Sequence, residues 1–333
     1  MADATGVLVI GEAQGGRVDP VTWELLAAGR PMADGLGEPL AVALLGGDAR
    51  AGAQEAIAFG ADRAYTVEHD LLQEYQVDLH LAALEQVCRQ TVPRIVLLGK
   101  TLLGRDLAPR LAFRLGVGLA QDCLEVKLDP DAKRLVAHRP IFGGNFLMSV
   151  TCSGTPQMAA IRPKVYEPLG RSEGSQGEVA PLSVELDSSM VKVRVTGQTK
   201  EAAAGIKLED AHVVVSGGRG LGGPEPFSNE LEALAKLLGA AVGASRAAVD
   251  AGWVPSHYQI GLTGKTITPE LYITVGISGA SQHMAGCSGA KVIVAINKDA
   301  EANIFKEARY GVVGDWKRIL PALTEAVREL VGS

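Results

Sequence analysis

The feature that most constrains the fold is an alternation of short apolar runs with longer helical patterns, which opens the chain and starts again in its second half. Apolar runs of this length are typical of buried strands, and the segments between them repeat apolar residues every three or four positions. Such alternation predicts right-handed βαβ units around a parallel sheet. In the first half we expect strands at Val7–Ile10, Ala41–Leu45, Ala64–Val67 and Arg94–Leu98, and helices at Pro20–Leu36, Ala51–Phe59, Asp78–Thr91 and Arg105–Leu115.

The pattern changes after Cys123, where shorter strand-like runs follow one another. Consecutive short strands are typical of antiparallel pairing through hairpins. We therefore predict an antiparallel extension of the same domain. The runs that we assign to it are Leu124–Leu128, Arg134–Ala137, Phe146–Thr151 and Met158–Ile161.

The boundary between the two halves is expected near residue 198. Tyr166–Pro181 is rich in Gly, Ser, Pro and Glu, which predicts an exposed connection. Val191–Val195 alternates as one more strand, and Gln198–Gly205 follows as a polar stretch that contains alanines. We predict an N-terminal α/β domain over residues 1–197 and a C-terminal α/β domain over residues 198–333.

The C-terminal half restarts the alternation with a strand that runs into a glycine-rich turn. Its later strands are apolar on both faces, as expected of central strands in a parallel sheet. Two helices carry capping signals at their starts, including a capping box in the first of them. We expect strands at His212–Val215, Tyr272–Val275 and Val292–Ile296, a helix Leu231–Leu238 capped by Asn229 with Glu232, and a final helix capped by Asp315.

Composition excludes several classes of function. The chain is 47% hydrophobic and 21% charged, which indicates a soluble globular protein. A net charge of −6 and an aromatic content of 5% argue against a nucleic-acid partner. The four cysteines contain no CxxC pair, so no metal site is indicated. The sequence contains neither a signal-peptide pattern nor a long apolar span, and we expect a cytoplasmic protein without a transmembrane segment.

Five segments in the second half, four of them rich in glycine, carry hydrogen-bonding side chains at or near the ends of predicted strands. In an open α/β sheet, ligands bind beyond the carboxyl ends of the strands. Each segment alone could be an ordinary loop or a tight helix entry, but together they favour a cofactor of the nucleotide type. The segments are Ser216–Gly223, Gly243–Asp250, Gln259–Lys265, Leu271–His283 and Val294–Asn297, the last followed by Lys298 and Asp299.

The first of these segments formally fits the G-x-G-x-x-G pattern through Gly218, Gly220 and Gly223. Glycine backbone can approach a pyrophosphate closely, and Arg219 adds positive charge. Pro224 and a second proline follow before the helix, however, unlike the usual dinucleotide fingerprint. A phosphate-binding loop and a glycine turn required by packing both remain open. The second half contains no motif for hydrolysis or phosphoryl transfer.

The run LYITVGISGASQHMAGCSGAKVIVAINKD closely resembles the signature of the electron transfer flavoprotein alpha subunit, the FixB family. The pieces SGGRG, GASRAAVDAGWVP, TGKTITPELY and IFKEARYGVVGDW are similar to the same family in the same order. GRDLAPRLAFRL, GLAQDC and RPIFGGN extend the resemblance into the first half. It implies two Rossmann-like domains, the first similar to adenine-nucleotide hydrolases and the second a doubly wound parallel sheet that binds FAD.

The resemblance also implies which residues hold the FAD. Arg219, with Gly220, and Ser245 would serve the phosphates, and Arg246 would lie near the isoalloxazine. Leu262 stands where the family usually has Gln, which puts one polar flavin contact in doubt; Ser281 replaces a branched apolar residue. The flavin edge would be lined by Gln259, Ile260, Gly261, Leu262 and Thr263; the phosphates, ribityl chain and flavin by Ser278, Gly279, Ala280, Ser281, Gln282 and His283; and the adenosine by Asn297, Asp315 and Trp316.

Two of these residues are expected to tune the flavin. A cation near a flavin stabilises the negative charge that reduction adds. We assign this effect to Arg246 and His283, and the alternative for His283 is a hydrogen-bonded core histidine without redox effect. No residue is expected to be catalytic, because the chain would be an electron carrier on its own.

Family resemblance implies a heterodimer with a beta subunit, and two modes of action. The segment RPIFGGNFLMSVTCSGTPQMAAIRPKV resembles the electron-bifurcating members, in which a second FAD in the beta subunit oxidises NADH. The alternative is a simple shuttle from acyl-CoA dehydrogenases to a quinone reductase. Partners would be an acyl-CoA dehydrogenase or related flavoenzyme, with ferredoxin or a quinone reductase as acceptor. Outside the family, an NAD-binding dehydrogenase and a non-redox scaffold are the alternatives, which a visible spectrum separates.

Overall fold

The computed structural model describes residues 3–14, 16–142, 146–193, 195–197 and 206–331. The chain divides into two compact units, of which the first contains Met1–Ile141 and Phe146–Thr199 and the second contains Lys200–Ser333. Each unit has its own parallel sheet and its own apolar cores. Among the described residues, no helix combines the length and the apolar character needed to cross a bilayer.

The first unit is built on a seven-stranded sheet whose neighbouring strands all pair in parallel. Its strands are β1 (Val7–Ile10), β4 (Leu40–Gly46), β5 (Arg63–Glu68), β6 (Ile95–Gly99), β7 (Leu119–Cys123), β11 (Gln157–Ile161) and β12 (Glu178–Pro181), in the spatial order β12-β5-β4-β1-β6-β11-β7. Its helices are α1 (Pro20–Leu36), α2 (Ala53–Ala58), α3 (Val77–Thr91) and α4 (Leu102–Leu115), and a small ribbon joins β2 (Ala13–Gln14) to β3 (Arg17–Val18).

Helices cover both faces of this sheet. Along β1, Val7 and Val9 pack into one core with α1 and α2, whereas Leu8 and Ile10 pack into the other with α3 and α4. Because successive side chains of a strand point to opposite faces, a strand buried on both faces must be apolar throughout. This is why the continuous apolar runs predicted the strands correctly, and the α/β prediction is confirmed.

The antiparallel extension is confirmed in part. β8 (Glu125–Asp129), β9 (Arg134–Ile141) and β10 (Phe146–Val150) form an antiparallel three-stranded sheet. The prediction that Met158–Ile161 belongs to it is wrong, because β11 lies between β6 and β7 in the parallel sheet. All of β11 is buried, as expected of a central parallel strand. β7 was not predicted, because Gln121 and Asp122 interrupt its apolar residues.

Three expectations near the end of this unit need correction or fall outside the structure. The predicted exposed connection Tyr166–Pro181 ends in β12, an edge strand that pairs with β5. The described residues of Val191–Val195 contain no strand, and a short 3-10 turn, Ser188–Met190, precedes them. Gln198–Gly205 lies outside the described residues, as do residues 143–145 of the RPIFGGN motif.

The second unit is built on a six-stranded, fully parallel sheet. Its strands are β13 (Val213–Gly217), β14 (Ala241–Ser245), β15 (Gln259–Ile260), β16 (Leu271–Val275), β17 (Val292–Asn297) and β18 (Tyr310–Val313), in the order β15-β14-β13-β16-β17-β18. Its helices are α5 (Glu225–Ser228), α6 (Glu230–Leu238), α7 (Arg246–Asp250), α8 (Ser281–Met284), α9 (Ile304–Glu307) and α10 (Trp316–Val331).

One of the two predicted helix caps forms. The Asp315 carboxylate accepts a 3.0 Å hydrogen bond from the Lys317 N–H and caps α10. Asn229 makes no capping bond, because α5 ends one residue before it and its own N–H closes that helical turn on Glu225 O. An N-cap needs extended backbone, which the chain does not have there. Glu232 pairs with Lys236 at 2.9 Å.

The winding of the second sheet determines where a ligand can bind. From β13 the chain builds outward on one side through β14 and β15, and then crosses back to add β16 on the other side. The loops after β13 and β16 therefore leave the sheet in opposite directions. Such a topological switch point opens a crevice at the carboxyl ends of the strands.

Candidate functional site

A cavity of about 850 Å³ lies at the carboxyl ends of β14, β13, β16 and β17. This volume falls within the range of small-molecule and cofactor sites. Loops that are far apart in the sequence meet in its wall, as expected at a switch point. The predicted site residues in the lining are Arg219, Gly220, Ser245, Arg246, Gln259, Ile260, Gly261, Leu262, Thr263, Ser278, Ala280, Gln282, His283 and Asn297.

Glycines allow the loops after β13 and β16 to pack backbone against backbone. The Gly218 N–H donates to Val275 O at 2.8 Å, and the Gly220 N–H donates to Gly276 O at 3.0 Å. A Cβ at Gly218 would lie 2.2 Å from Gly276 O, which no side chain tolerates. The close packing of the two loops therefore requires glycine in the turn after β13, and Gly220 also lines the cavity.

The loop after β15 is a closed turn that rests on α8. The Leu262 N–H donates to Gln282 O at 2.7 Å, and Gln259 Nε2 donates to Thr263 Oγ1 at 2.9 Å. Gly261 has φ of +142°, and a Cβ on Gly286 would lie 2.4 Å from its nitrogen. This close contact presents Leu262, which is 37% exposed, at the cavity.

His283 is buried, with 7% of its surface exposed, although it contributes to the lining. Its Nδ1 lies 3.1 Å from Ile260 O and its Nε2 lies 2.8 Å from the Tyr272 hydroxyl. Burial lowers the pKa of His283 to about 4. The imidazole is therefore uncharged at neutral pH, so this structure favours the hydrogen-bonded core histidine over the expected cation.

Positive charge in the cavity comes from Arg219, Arg246 and Lys298. Arg246 Nε lies 3.2 Å from Asp250 Oδ2, and both side chains are more than 60% exposed, so the pair contributes little stability. A guanidinium in such a loose, solvated pair can turn towards an anion at small cost. Asp250 and Asp299 are the carboxylates in the lining.

The amide of Asn297 ties two strand-end loops together. Its Nδ2 donates to Ile277 O at 2.9 Å, and its Oδ1 accepts from the Asp299 N–H at 3.0 Å. The Gly314 N–H donates to Asn297 O at 2.9 Å and brings the loop after β18 to the same point. Asn297 thus holds the wall of the cavity at the end of β17.

The other predicted site residues lie outside the lining. Gly279 has φ of +78° and packs so tightly that a Cβ would lie 2.2 Å from Ile304 N. Ser281 is the first residue of α8. Asp315 caps α10, and Trp316 packs half-buried against an apolar core of the second unit.

The cavity also contains residues that were not assigned to the FAD, most of them within the polar segments predicted from the sequence. Gly276 and Ile277 directly follow β16, and Lys298 and Asp299 directly follow Asn297, so position after a strand was an available signal. Asp250 lies one helical turn from Arg246, a spacing that predicts contact. The remaining lining residues, Ala247 and Ala302, carry no chemical signal.

The lining suits a ligand that carries both negative charge and an apolar surface. Glycine backbone and three cations suit phosphates, and the hydroxyls of Ser245, Thr263 and Ser278 add hydrogen-bonding groups. Ile260 and Leu262 offer apolar contact to a flat ring. The described residues contain no cluster of His, Cys, Asp and Glu that could hold a metal ion.

Comparison with known proteins identifies the family. Residues 7–187 match the electron transfer flavoprotein domain, and residues 207–288 match the electron transfer flavoprotein FAD-binding domain. The cavity residues up to His283 fall within the second match.

Curated relatives align along nearly the whole chain. The electron transfer flavoprotein subunit alpha of Thermoanaerobacterium thermosaccharolyticum is 40% identical over 99% of this chain and 100% of its own length. The subunit alpha of Bacillus subtilis is 41% identical over 97% of this chain and 98% of its own. Protein FixB of Azorhizobium caulinodans is 46% identical over 97% of this chain and 88% of its own.

The similarity to solved structures is weak. A putative thiamin diphosphate-dependent enzyme from Mycobacterium smegmatis aligns with 91% of this chain and 54% of its own at 13% identity, with a TM-score of 0.22. That score is too low to carry a conclusion. The two matched domains and the full-length relatives show that this chain belongs to the electron transfer flavoprotein alpha subunit (FixB) family.

Proposed function

We propose that this chain binds one FAD in the cavity of the second unit and passes electrons through it, as the alpha subunit of a heterodimer with a beta subunit. The observation that carries the proposal is the meeting of the predicted strand-end loops around one cavity, within a stretch that mostly matches an FAD-binding domain. FAD accepts and gives up electrons one or two at a time. The chain on its own is then a carrier.

Different residues of the cavity bind different parts of the FAD in this proposal. Arg219, Gly220 and Ser245 serve the phosphates, and Arg246 supplies positive charge to the flavin. The loop Ile260–Thr263 and the segment Ser278–His283 enclose the flavin and the ribityl chain. Asn297 serves the adenosine end. Asp315 and Trp316 remain proposed adenosine contacts, although the cavity lining does not include them.

The full chain, purified together with its beta subunit and supplied with FAD, tests this function. We expect a yellow protein whose visible bands resemble those of free FAD. A colourless protein that binds NAD would overturn the proposal.

A pair of glycine substitutions tests the position of the FAD. Gly220→Ala puts a Cβ 2.8 Å from backbone atoms of Gly276 in the cavity wall and is expected to weaken FAD binding. Gly170→Ala is the matched control, because no atom lies within 4 Å of its added Cβ. Equal FAD affinity in the two variants would contradict the proposed site.

Within the family, we propose the electron-bifurcating mode, in which a second FAD in the beta subunit oxidises NADH. Support comes from the resemblance of GLAQDC and of the segment from Arg139 to Val165 to bifurcating members. An acyl-CoA dehydrogenase or related flavoenzyme and ferredoxin are the proposed partners. Counting flavins in the heterodimer tests this, since two FADs and reduction by NADH are expected. One FAD and no reaction with NADH would favour the shuttle to a quinone reductase.

A further inference from the structure

Tyr272 lies behind the proposed FAD site and outside its lining. It sits on β16 with none of its surface exposed, packed in the apolar core beneath the loops. Its hydroxyl lies 2.8 Å from His283 Nε2, and the two rings are 6.1 Å apart between centroids at an angle of 26°. A buried tyrosine hydroxyl needs a hydrogen-bond partner, and His283 supplies it.

The partners of His283 determine where its proton resides. Ile260 O can only accept a hydrogen bond, so the Nδ1 that lies 3.1 Å from it must carry the proton. An uncharged imidazole then has a bare Nε2, which accepts the proton of the Tyr272 hydroxyl. The hydrogen bonds run in one direction, from Tyr272 through His283 to the backbone of Ile260.

This chain of bonds joins three elements of the cavity wall. Tyr272 belongs to β16, His283 to α8 and Ile260 to β15, at the start of the loop that presents Leu262. The same loop is attached to α8 by one further hydrogen bond, from the Leu262 N–H to Gln282 O. The orientation of the imidazole therefore controls how firmly the loop is held.

We propose that Tyr272 is a positioning residue: its hydroxyl donates to Nε2 of His283 and holds the imidazole in the orientation in which Nδ1–H bonds Ile260 O, and it thereby fixes the loop Ile260–Thr263 against α8 on the cavity wall. The proposal rests on the proposed function in so far as this wall binds FAD. The side chain itself touches no ligand, because it lies outside the cavity lining.

The ¹⁵N resonances of the His283 imidazole provide the deciding measurement. In the full chain labelled with ¹⁵N-histidine, we expect the wild-type imidazole to be neutral with its proton on Nδ1; His283→Gln assigns the signals. In Tyr272→Phe, which removes only the hydroxyl, the proton should stay on Nδ1, and the Nε2 resonance should move downfield towards that of an imine nitrogen without a hydrogen bond. An unchanged Nε2 resonance in the variant would overturn the proposal. A wild-type proton on Nε2 would overturn it even if the variant fails to fold.

A matched variant separates this effect from the general loss of a tyrosine hydroxyl. Tyr75 packs edge-on to His80 at 5.0 Å between centroids, but its hydroxyl donates to Asp106 in the first unit. Tyr75→Phe should leave the Nε2 resonance of His283 unchanged. A shift of that resonance in Tyr75→Phe equal to the shift in Tyr272→Phe would count against a specific role.

FAD affinity measures the consequence for the cavity. Loss of one buried hydrogen bond corresponds to a dissociation constant raised about 2- to 12-fold in Tyr272→Phe, with no change in Tyr75→Phe. An unchanged constant in Tyr272→Phe would refute the link from the Tyr272–His283 hydrogen bond to the loop. Failure of the wild type to bind FAD would refute the proposed function but leave the result on the His283 resonances standing.

Discussion

The carboxylate of Glu12 accepts a 2.6 Å hydrogen bond from the hydroxyl of Thr101, across the switch point of the first sheet. Glu12 follows β1 and Thr101 follows the neighbouring strand β6, at the position that corresponds to the crevice of the second unit. A half-buried carboxylate thus lies where the second unit has glycines and cations.

Glu12 is expected to make the stability of the first unit depend on pH. Burial raises its pKa to about 7, Asp19 adds to the rise, and the bond from Thr101 opposes it. A carboxyl with a raised folded pKa contributes stability that is complete below the unfolded pKa and is lost as pH rises through about 7.

The substitution Glu12→Gln tests this dependence. We expect wild type to lose about 1–3 kcal/mol of unfolding free energy between pH 5 and pH 8, measured by urea titration, and the variant to lose much less. Exposed Glu301→Gln is the control and should behave as wild type. Parallel pH profiles for Glu12→Gln and wild type would contradict the prediction.

Arg246→Ala is expected to lower the reduction potential of the bound flavin, because a cation that stabilises the added negative charge is lost. A solvated charge about 4 Å from the reduced flavin stabilises it by on the order of 1 kcal/mol. The reduction potential should therefore fall by roughly 40 mV in a redox titration. Arg328→Ala is a suitable control, since Arg328 also pairs with a carboxylate one turn away, on α10. The same midpoint in both variants would rule out this role for Arg246.

Asp315 has two proposed roles, and two substitutions separate them. Asp315→Ala removes the cap of α10 and should cost about 1 kcal/mol of unfolding free energy, whereas Asp315→Ser should retain most of it. If Asp315 also contacts the adenosine, both variants should bind FAD more weakly than wild type. Normal FAD affinity in Asp315→Ser would leave the cap as its role.

The Asp122 carboxylate pairs with two cationic side chains in the first unit, and its removal is expected to lower the free energy of unfolding. It lies 3.0 Å from Arg162 and 2.7 Å from Lys100, and these partners lower its pKa in spite of burial. Asp122→Asn tolerates the local φ of +61° but removes the negative charge that Arg162 and Lys100 share. We expect a loss of about 2–4 kcal/mol in urea unfolding at pH 7, against almost none for exposed Asp131→Asn.

The sequence by itself determined the elements whose signals are local. The periodicity of Pro20–Leu36 and the apolar run Val7–Ile10 involve residues that are neighbours in the chain, and both elements form with the predicted bounds. The polar segments that follow β13, β14, β16 and β17 were visible for the same reason. Because the carboxyl ends of parallel strands share one edge, the sequence could also predict that these segments meet.

Only the tertiary structure decided relationships between residues that are distant in the chain. β11 lies in the parallel sheet because its backbone pairs with β6 and β7. No local sequence pattern encodes this pairing. His283 is neutral because it is buried against Ile260 and Tyr272, although the family resemblance had led us to expect a cation there. Hydrogen-bond partners and desolvation are properties of the packed chain, so the charge of a side chain is settled only when the fold brings its neighbours together.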